Sequence, residues 1–190
     1  MHYTARFEDA LVYAHRLHAH QQRKKTNIPY ISHLLAVTAI VIENGGTEDE
    51  AIAALLHDAI EDAGGDAVRR EIGARFGGNV LAIVEGCTDA DRTPKPPWRQ
   101  RKEDYIAHLR AETNPSIRLV SLADKVHNVR SILRDYGIVG ERVWERFNGK
   151  RDGSVWYYRS LLKVFQEGGS SPLIDEFARL VAELEQLPER

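Results

Sequence analysis

The chain has 190 residues, 43% hydrophobic and 28% charged, with a formal net charge of −2. This composition is typical of a globular domain, and it lacks the global basic field that favours nucleic-acid partners. The single cysteine, Cys87, excludes an internal disulfide and is consistent with a reducing compartment. No window of about 18 apolar residues occurs and charges interrupt the N-terminal segment, so we expect a cytoplasmic protein without a transmembrane span or a signal peptide.

Apolar residues recur at helical spacing along most of the chain, which predicts an all-α fold of about eight to ten helices. The third helix opens at the capping box Thr47–Glu50 and ends at Gly64-Gly65. The other predicted helices lie at about 7–22, 31–43, 67–76, 79–87, 99–112, 114–134, 154–166 and 172–187. We predict one domain over 1–190, with its core at about 5–165 and a C-terminal helix at about 172–187.

The most informative feature is the pair His57-Asp58, followed by Glu61-Asp62, at the end of the apolar run 51–56. A His-Asp step alone is common on protein surfaces. Four ionisable groups beside an apolar run, however, are costly to bury without a function. On a continuous helix these four positions fall within an arc of about 140°, so one face would present an imidazole and three carboxylates.

Two further residues make a metal site the favoured interpretation. His33 and Asp124 each stand beside apolar helical sequence, and with His57 and Asp58 they make a ligand set of two histidines and two aspartates. A metal that prefers six ligands, as Mn²⁺ does, would keep two positions for water and a substrate oxygen. The mixed nitrogen and oxygen donors leave Mn²⁺, Fe²⁺ and Zn²⁺ open.

The remaining polar residues have a functional and a structural interpretation. Glu61 and Asp62 are predicted as carboxylates outside the ligand set that orient a water and take its proton, or they are a solvated helix end. The run Arg23-Lys24-Lys25 either covers a nucleotide base and its phosphates or is a solvated basic run. Asn128, four residues after Asp124, either positions substrate or satisfies a buried polar group.

Four motifs occur together in one order along the chain. They are His18-x-x-Gln21-x-Arg23-Lys24, Pro29-Tyr30-Ile31-x-His33, Leu55-Leu56-His57-Asp58-x-x-Glu61-Asp62 and Leu122-Ala123-Asp124-Lys125-x-x-Asn128-x-Arg130. In this combination the chain resembles the HD-domain phosphohydrolases, and more closely the small alarmone hydrolases related to the hydrolase half of Rel/Spo enzymes. The resemblance covers about residues 5–165.

The resemblance implies specific roles. The four ligands would hold Mn²⁺, and the two carboxylates one turn later would activate the nucleophilic water. Arg23 and Lys24 would flank the purine, Lys95 would lie on the phosphate side, and Asn128 would contact the nucleotide. Ser131 stands where relatives often place a threonine near the sugar or base. The implied reaction removes the 3′-pyrophosphate from guanosine tetra- or pentaphosphate, leaving GDP or GTP.

Departures from the family pattern leave the base open. The segment between Lys24 and Pro29 is one residue longer than the common pattern, and Leu34 stands where many relatives have proline. No synthetase domain is expected in a chain of this length. The adenosine alarmone ppApp is therefore an alternative substrate. Another HD-type nucleotidase or phosphodiesterase and a non-enzymatic nucleotide-binding module are the competing classes, and the sequence predicts no oligomeric state.

Overall fold

The structure, a computed structural model, describes residues 2–89, 94 and 96–188. These residues form ten α-helices and one 3₁₀ helix, and their only β-type pairing is an antiparallel bridge between Gln22 and Pro29. The all-α prediction is therefore confirmed. Within the described ranges, no helix is long and apolar enough to cross a membrane.

The chain divides into two compact units. The first comprises Met1–Lys95 and Asn114–Ala123, and the second comprises Pro96–Thr113 and Asp124–Arg190. The first unit contains α1 (Ala5–Leu17), α2 (Ile31–Glu43), α3 (Glu48–Leu56), α4 (Ala59–Ala63), α5 (Gly65–Phe76) and α6 (Gly78–Cys87). The second contains α7 (Trp98–Ala111), the 3₁₀ helix (Gly140–Arg146), α9 (Lys150–Glu167) and α10 (Pro172–Glu185), while α8 (Pro115–Val139) belongs partly to each. The single domain over 1–190 stays a prediction.

The first unit is organised around α3, whose residues 51–56 are buried on every side. Each residue from Ala51 to Leu56 is 0% exposed, and α1, α2 and α6 all pack against this helix. A helix that is apolar all round can be stable only in an interior. Its start is set by the predicted capping box, in which Thr47 Oγ1 accepts from the Glu50 amide and the Glu50 carboxylate accepts from the Thr47 amide.

The second unit is built on α9, which packs against α7 and α10. The buried residues of α10 recur at helical spacing and form one apolar stripe. Among them, Phe177 meets Phe165 and Tyr158 of α9 edge to face, with ring centroids 6.0 and 6.5 Å apart. The predicted C-terminal helix is thus part of the core of this unit.

Helix ends were the least accurate part of the sequence prediction. The helix predicted to reach Gln22 ends at Leu17, because the chain turns at His18 and the Gln21 carbonyl accepts from the Tyr30 amide at 2.9 Å. Pairing across this turn replaces the helical hydrogen bonds. By contrast, α8 is longer than predicted. It continues past Arg134 to Val139 and stops where Gly140 takes a positive φ of 60°.

We predict that Gly86→Ala destabilises the first unit. A Cβ at position 86 would lie 2.4 Å from Ile117 Cδ1 and 2.8 Å from its Cγ1. Overpacking of this kind costs about 1–3 kcal/mol and outweighs the roughly 0.5–1 kcal/mol that alanine gains over glycine in a helix.

Thermal unfolding measures this effect, with Gly137→Ala as the matched control. Gly137 is also helical, but a Cβ there meets nothing within 4 Å. The control should raise Tm slightly, whereas Gly86→Ala should lower it by a few degrees, at about 2–4 °C per kcal/mol for a chain of this size. Equal Tm values for the two variants would show that Ile117 gives way at no cost.

Candidate metal centre and active site

The site begins where the buried helix α3 ends. His57 and Asp58 lie between α3 and α4, so the continuous helix face predicted for positions 57, 58, 61 and 62 is wrong. The His57 ring explains the interruption, because its Nδ1 donates to the Ala54 carbonyl at 2.8 Å. That carbonyl is the acceptor that the Asp58 amide would use in an uninterrupted helix. The turn places His57 and Asp58 beside a histidine from another helix.

Two histidines and one aspartate converge at this turn. Asp58 Oδ2 lies 3.0 Å from His57 Nε2 and 3.6 Å from His33 Nε2, and the three donor atoms are all within 4.8 Å of one another. His33 and His57 are 1% and 2% exposed, whereas the Asp58 side chain is 23% exposed. Three of the four predicted ligands are therefore brought together within the first unit.

The donor set fits a divalent cation. Ligand atoms about 2.1 Å from an ion stand roughly 3–4 Å from one another, which is close to the spacing in this cluster. Because the His57 Nδ1–H is used by the Ala54 carbonyl, the lone pair of this ring is on Nε2, the atom that faces Asp58. The negative end of the α3 dipole also favours a cation at this position. The cluster therefore indicates divalent metal binding.

Asp58 is held by Tyr30 rather than used as a helix cap. Aspartate is a common N-cap, yet the Asp58 side chain makes no capping hydrogen bond to α4. Instead, the Tyr30 hydroxyl donates to Asp58 Oδ2 at 2.6 Å. Burial of Tyr30, and then its contact with Asp58, raise the pKa of the phenol above its usual value. Tyr30 thus remains a neutral hydrogen-bond donor to the candidate ligand.

The two predicted catalytic carboxylates lie in the first turn of α4. Glu61 is half-buried and Asp62 is exposed. Gln21 Nε2 donates to Asp62 Oδ2 at 2.8 Å, and Gln21 Oε1 lies 2.6 Å from His18 Nδ1. The Asp62 carboxylate is therefore oriented by the turn that follows α1.

The basic run lies on the turn that carries the β-bridge. The Arg23 amide donates to the Ile28 carbonyl at 2.9 Å, and Lys25 takes a left-handed φ of 52°. Arg23 is half-buried, with its guanidinium carbon 5.8 Å from the centroid of the Tyr30 ring, and Lys24 is exposed. Arg23 is thus partly ordered by a cation–π contact, while Lys24 projects from the surface.

The fourth predicted ligand, Asp124, belongs to the second unit. It is 6% exposed, with Oδ1 accepting from Asn128 Nδ2 at 2.6 Å and Oδ2 accepting from Lys125 Nζ at 2.5 Å. Burial lowers the pKa of Lys125, but attraction to Asp124, Tyr105 and Tyr157 together with the hydrogen bond to Asp124 outweighs it and holds that pKa well above its usual value. Carboxylate oxygens carry more than one lone pair each, so both remain able to accept a further interaction.

The sequence predicted some contacts of these site residues and missed others. The Asn128 amide contacts Asp124, as the structural interpretation of this residue requires, and its role toward substrate stays a prediction. Ser131 is half-buried in α8, and Lys95 lies outside the described residues. The motifs contained Tyr30 and Gln21, but only distances show that each contacts a carboxylate of the site. Their spacing from His33 and His18, three residues in each case, was the available signal.

Comparison with known families agrees with this geometry. The profile of the HD domain family matches residues 10–155, which span the whole of the cluster and Asp124. The fold and the His-Asp turn therefore define the class, and the chain belongs to the HD domain family.

Within this class, the chain is similar to guanosine-3′,5′-bis(diphosphate) 3′-pyrophosphohydrolase MESH1. It is 36% identical to the Xenopus tropicalis protein over 144 residues, which are 73% of this chain and 77% of that protein. It is 35% identical to the human protein over 134 residues, 69% of this chain and 72% of that protein. The fold also matches a solved structure described as a metazoan ortholog of SpoT, with a TM-score of 0.80, 24% identity and 99% of each chain covered.

We predict that His33→Ala weakens divalent metal binding at least about 100-fold, since loss of a ligand should exceed the 10–100-fold effect typical of outer-shell partners. The free Mn²⁺ signal in electron paramagnetic resonance measures binding without any substrate. His15→Ala, which removes an exposed histidine of α1, is the control. Circular dichroism establishes that helix content is retained. Equal affinity in both variants would mean that His33 is not a ligand.

Proposed function

We propose that this protein is a metal-dependent 3′-pyrophosphohydrolase of guanosine tetra- and pentaphosphate. The observation that carries the proposal is the convergence of His33, His57 and Asp58 in a chain about 35% identical to MESH1 proteins over two thirds of its length. The reaction adds water to the phosphorus next to the 3′ oxygen of the ribose. The bond to that oxygen breaks, and pyrophosphate leaves with GDP or GTP as the second product.

In this proposal His33, His57, Asp58 and Asp124 hold Mn²⁺. Distances support the first three residues, whereas Asp124 is supported by its motif and by its burial beside Lys125. When bound, the metal supplies Lewis-acid chemistry that stabilises negative charge on phosphate and lowers the pKa of water. Mixed nitrogen and oxygen donors also suit Fe²⁺ and Zn²⁺, and the choice of Mn²⁺ follows from the family resemblance.

Glu61 and Asp62 activate the attacking water. They follow the His57-Asp58 turn directly, in the first turn of α4. Gln21 donates to one oxygen of Asp62 and restricts the orientations of that carboxylate. A carboxylate in a defined orientation can accept a proton from water as the oxygen attacks phosphorus. Together the two carboxylates orient the water and take its proton.

Arg23, Lys24, Lys95, Asn128 and Ser131 bind the nucleotide. Support is strongest for Arg23, whose guanidinium already lies near the Tyr30 ring and can stack on a purine. Lys24 is exposed and free to meet a phosphate. The segment between Lys24 and Pro29 is one residue longer than the common family pattern. Since this segment would cover the base, ppApp is the alternative substrate to ppGpp.

We predict that Glu61→Gln and Asp62→Asn each lower kcat by about 10²–10⁴-fold, the usual contribution of general acid–base catalysis. Mn²⁺ affinity should be unchanged, because neither residue is a proposed ligand. The assay is release of pyrophosphate from ppGpp and, separately, ppApp. Asp66→Asn removes an exposed carboxylate of α5 that pairs with Arg69, and it should retain full activity. Full turnover by both site variants would exclude this catalytic role.

We predict that Asp124→Asn lowers both Mn²⁺ affinity and turnover by at least about tenfold. Asparagine keeps the volume and one carbonyl oxygen, so the variant avoids the cavity of an alanine. The control is Asp135→Asn, which removes a carboxylate of the same helix that pairs with Arg146 at 2.5 Å. If Asp124→Asn binds Mn²⁺ and releases pyrophosphate like the control, the fourth ligand lies elsewhere.

A further inference from the structure

Two carboxylates of the site are joined by a chain of polar and aromatic contacts. Tyr30 donates to Asp58 Oδ2 at 2.6 Å, and its ring stacks on the His18 ring with centroids 5.2 Å apart and planes at 24°. His18 Nδ1 lies 2.6 Å from Gln21 Oε1, and Gln21 Nε2 donates to Asp62 Oδ2 at 2.8 Å. We call Tyr30, His18 and Gln21 the carboxylate link.

The two hydrogen bonds between His18 and Asp62 run in one direction. An ionised Asp62 only accepts, so the Gln21 amide nitrogen must face it and the Gln21 carbonyl must face His18. His18 Nδ1 therefore carries the hydrogen and donates. His18 and Gln21 thus both donate toward Asp62, which fixes the Gln21 amide in one of its two flips and His18 in one tautomer.

The burial of His18 indicates that this side chain does more than fill space in the core. His18 is 2% exposed, and no polar atom of the described residues pairs with its Nε2. A buried imidazole with one unsatisfied nitrogen costs free energy that an apolar side chain of similar size would not. His18 contributes instead through its bond to Gln21 and its stacking on Tyr30. Both contacts lead to a carboxylate of the site.

The backbone gives the carboxylate link a stiff base. The Tyr30 amide donates to the Gln21 carbonyl at 2.9 Å, and the Gln21 amide donates to the His18 carbonyl at 3.0 Å. The three residues are thus tied to one another in the main chain as well as through their side chains.

We propose that Tyr30 and Gln21 are positioning residues. Tyr30 orients the metal ligand Asp58, Gln21 orients the proton acceptor Asp62, and His18 lies between the two and contacts both. Tyr30 acts on the metal, because it contacts the same oxygen of Asp58 that faces both histidines. Gln21 acts on the chemical step, because its side chain reaches Asp62 and not the ligands. The part concerning Asp62 rests on the proposed function.

The first test is the Mn²⁺ affinity of Tyr30→Phe, measured by electron paramagnetic resonance without substrate. Losing the hydroxyl should raise the Mn²⁺ Kd about 10-fold or more, within the 10–100-fold range of outer-shell partners. Tyr3→Phe is the matched control, since it removes a hydroxyl that donates to the Gly46 carbonyl at 3.3 Å rather than to a proposed ligand. A Kd for Tyr30→Phe equal to that of the control overturns the proposal.

The second test is the kinetics of Gln21→Met with ppGpp. Methionine keeps the length of the side chain but cannot hold Asp62, so kcat should fall about 10-fold or more while KM and the Mn²⁺ Kd are unchanged. Gln22→Met, at the exposed neighbouring position, is the control. A kcat equal to that of the control, or a parallel rise in KM and Kd, counts against the role of Gln21.

The two tests separate this inference from the proposed function. If the wild-type protein releases no pyrophosphate from ppGpp or ppApp, the proposed function fails, yet the Mn²⁺ titration of Tyr30→Phe still decides whether Tyr30 positions Asp58. If the wild type is active and both variants behave like their controls, the function stands and the carboxylate link is only a packing arrangement.

Discussion

The hydrogen bond from His57 to the Ala54 carbonyl is the contact on which the site depends. It lies at the end of a helix whose last six residues have no exposed surface, so the acceptor cannot move without disturbing the core. The bond interrupts the helix, turns Asp58 out of it and aims Nε2 of the ring at the Asp58 carboxylate. A core helix thereby becomes a rigid support for two candidate ligands.

The candidate ligands and the candidate base are held in place by two kinds of contact. The imidazoles are buried and fixed by the core, whereas Asp58 and Asp62 are partly or wholly exposed and depend on side chains from the turn between α1 and α2. Protein interiors are close-packed and define position well, while exposed carboxylates have freedom that must be removed by hydrogen bonds. Tyr30 and Gln21 provide those bonds from one short segment.

The sequence predicted the class of fold and the family well, because both depend on patterns that are local in the chain. Helical periodicity and the Thr47 capping box are local signals, and the order of the four motifs is specific in combination. The break at His57 was missed because a side-chain bond to the Ala54 carbonyl competes with the backbone bond, and periodicity carries no information about it. The contact between Tyr30 and Asp58 spans 28 residues and depends on tertiary packing.

The unequal exposure of the candidate ligands has a consequence for how a cation would reach the cluster. The two imidazoles are closed off at 1% and 2% exposure, so solvent reaches the cluster from the side of the Asp58 carboxylate. An incoming cation first meets negative charge and oxygen donors, to which hard ions such as Mg²⁺ bind readily, and only then the nitrogen donors that prefer transition metals. The cluster therefore presents its oxygen donor to solvent and its two nitrogen donors to the core.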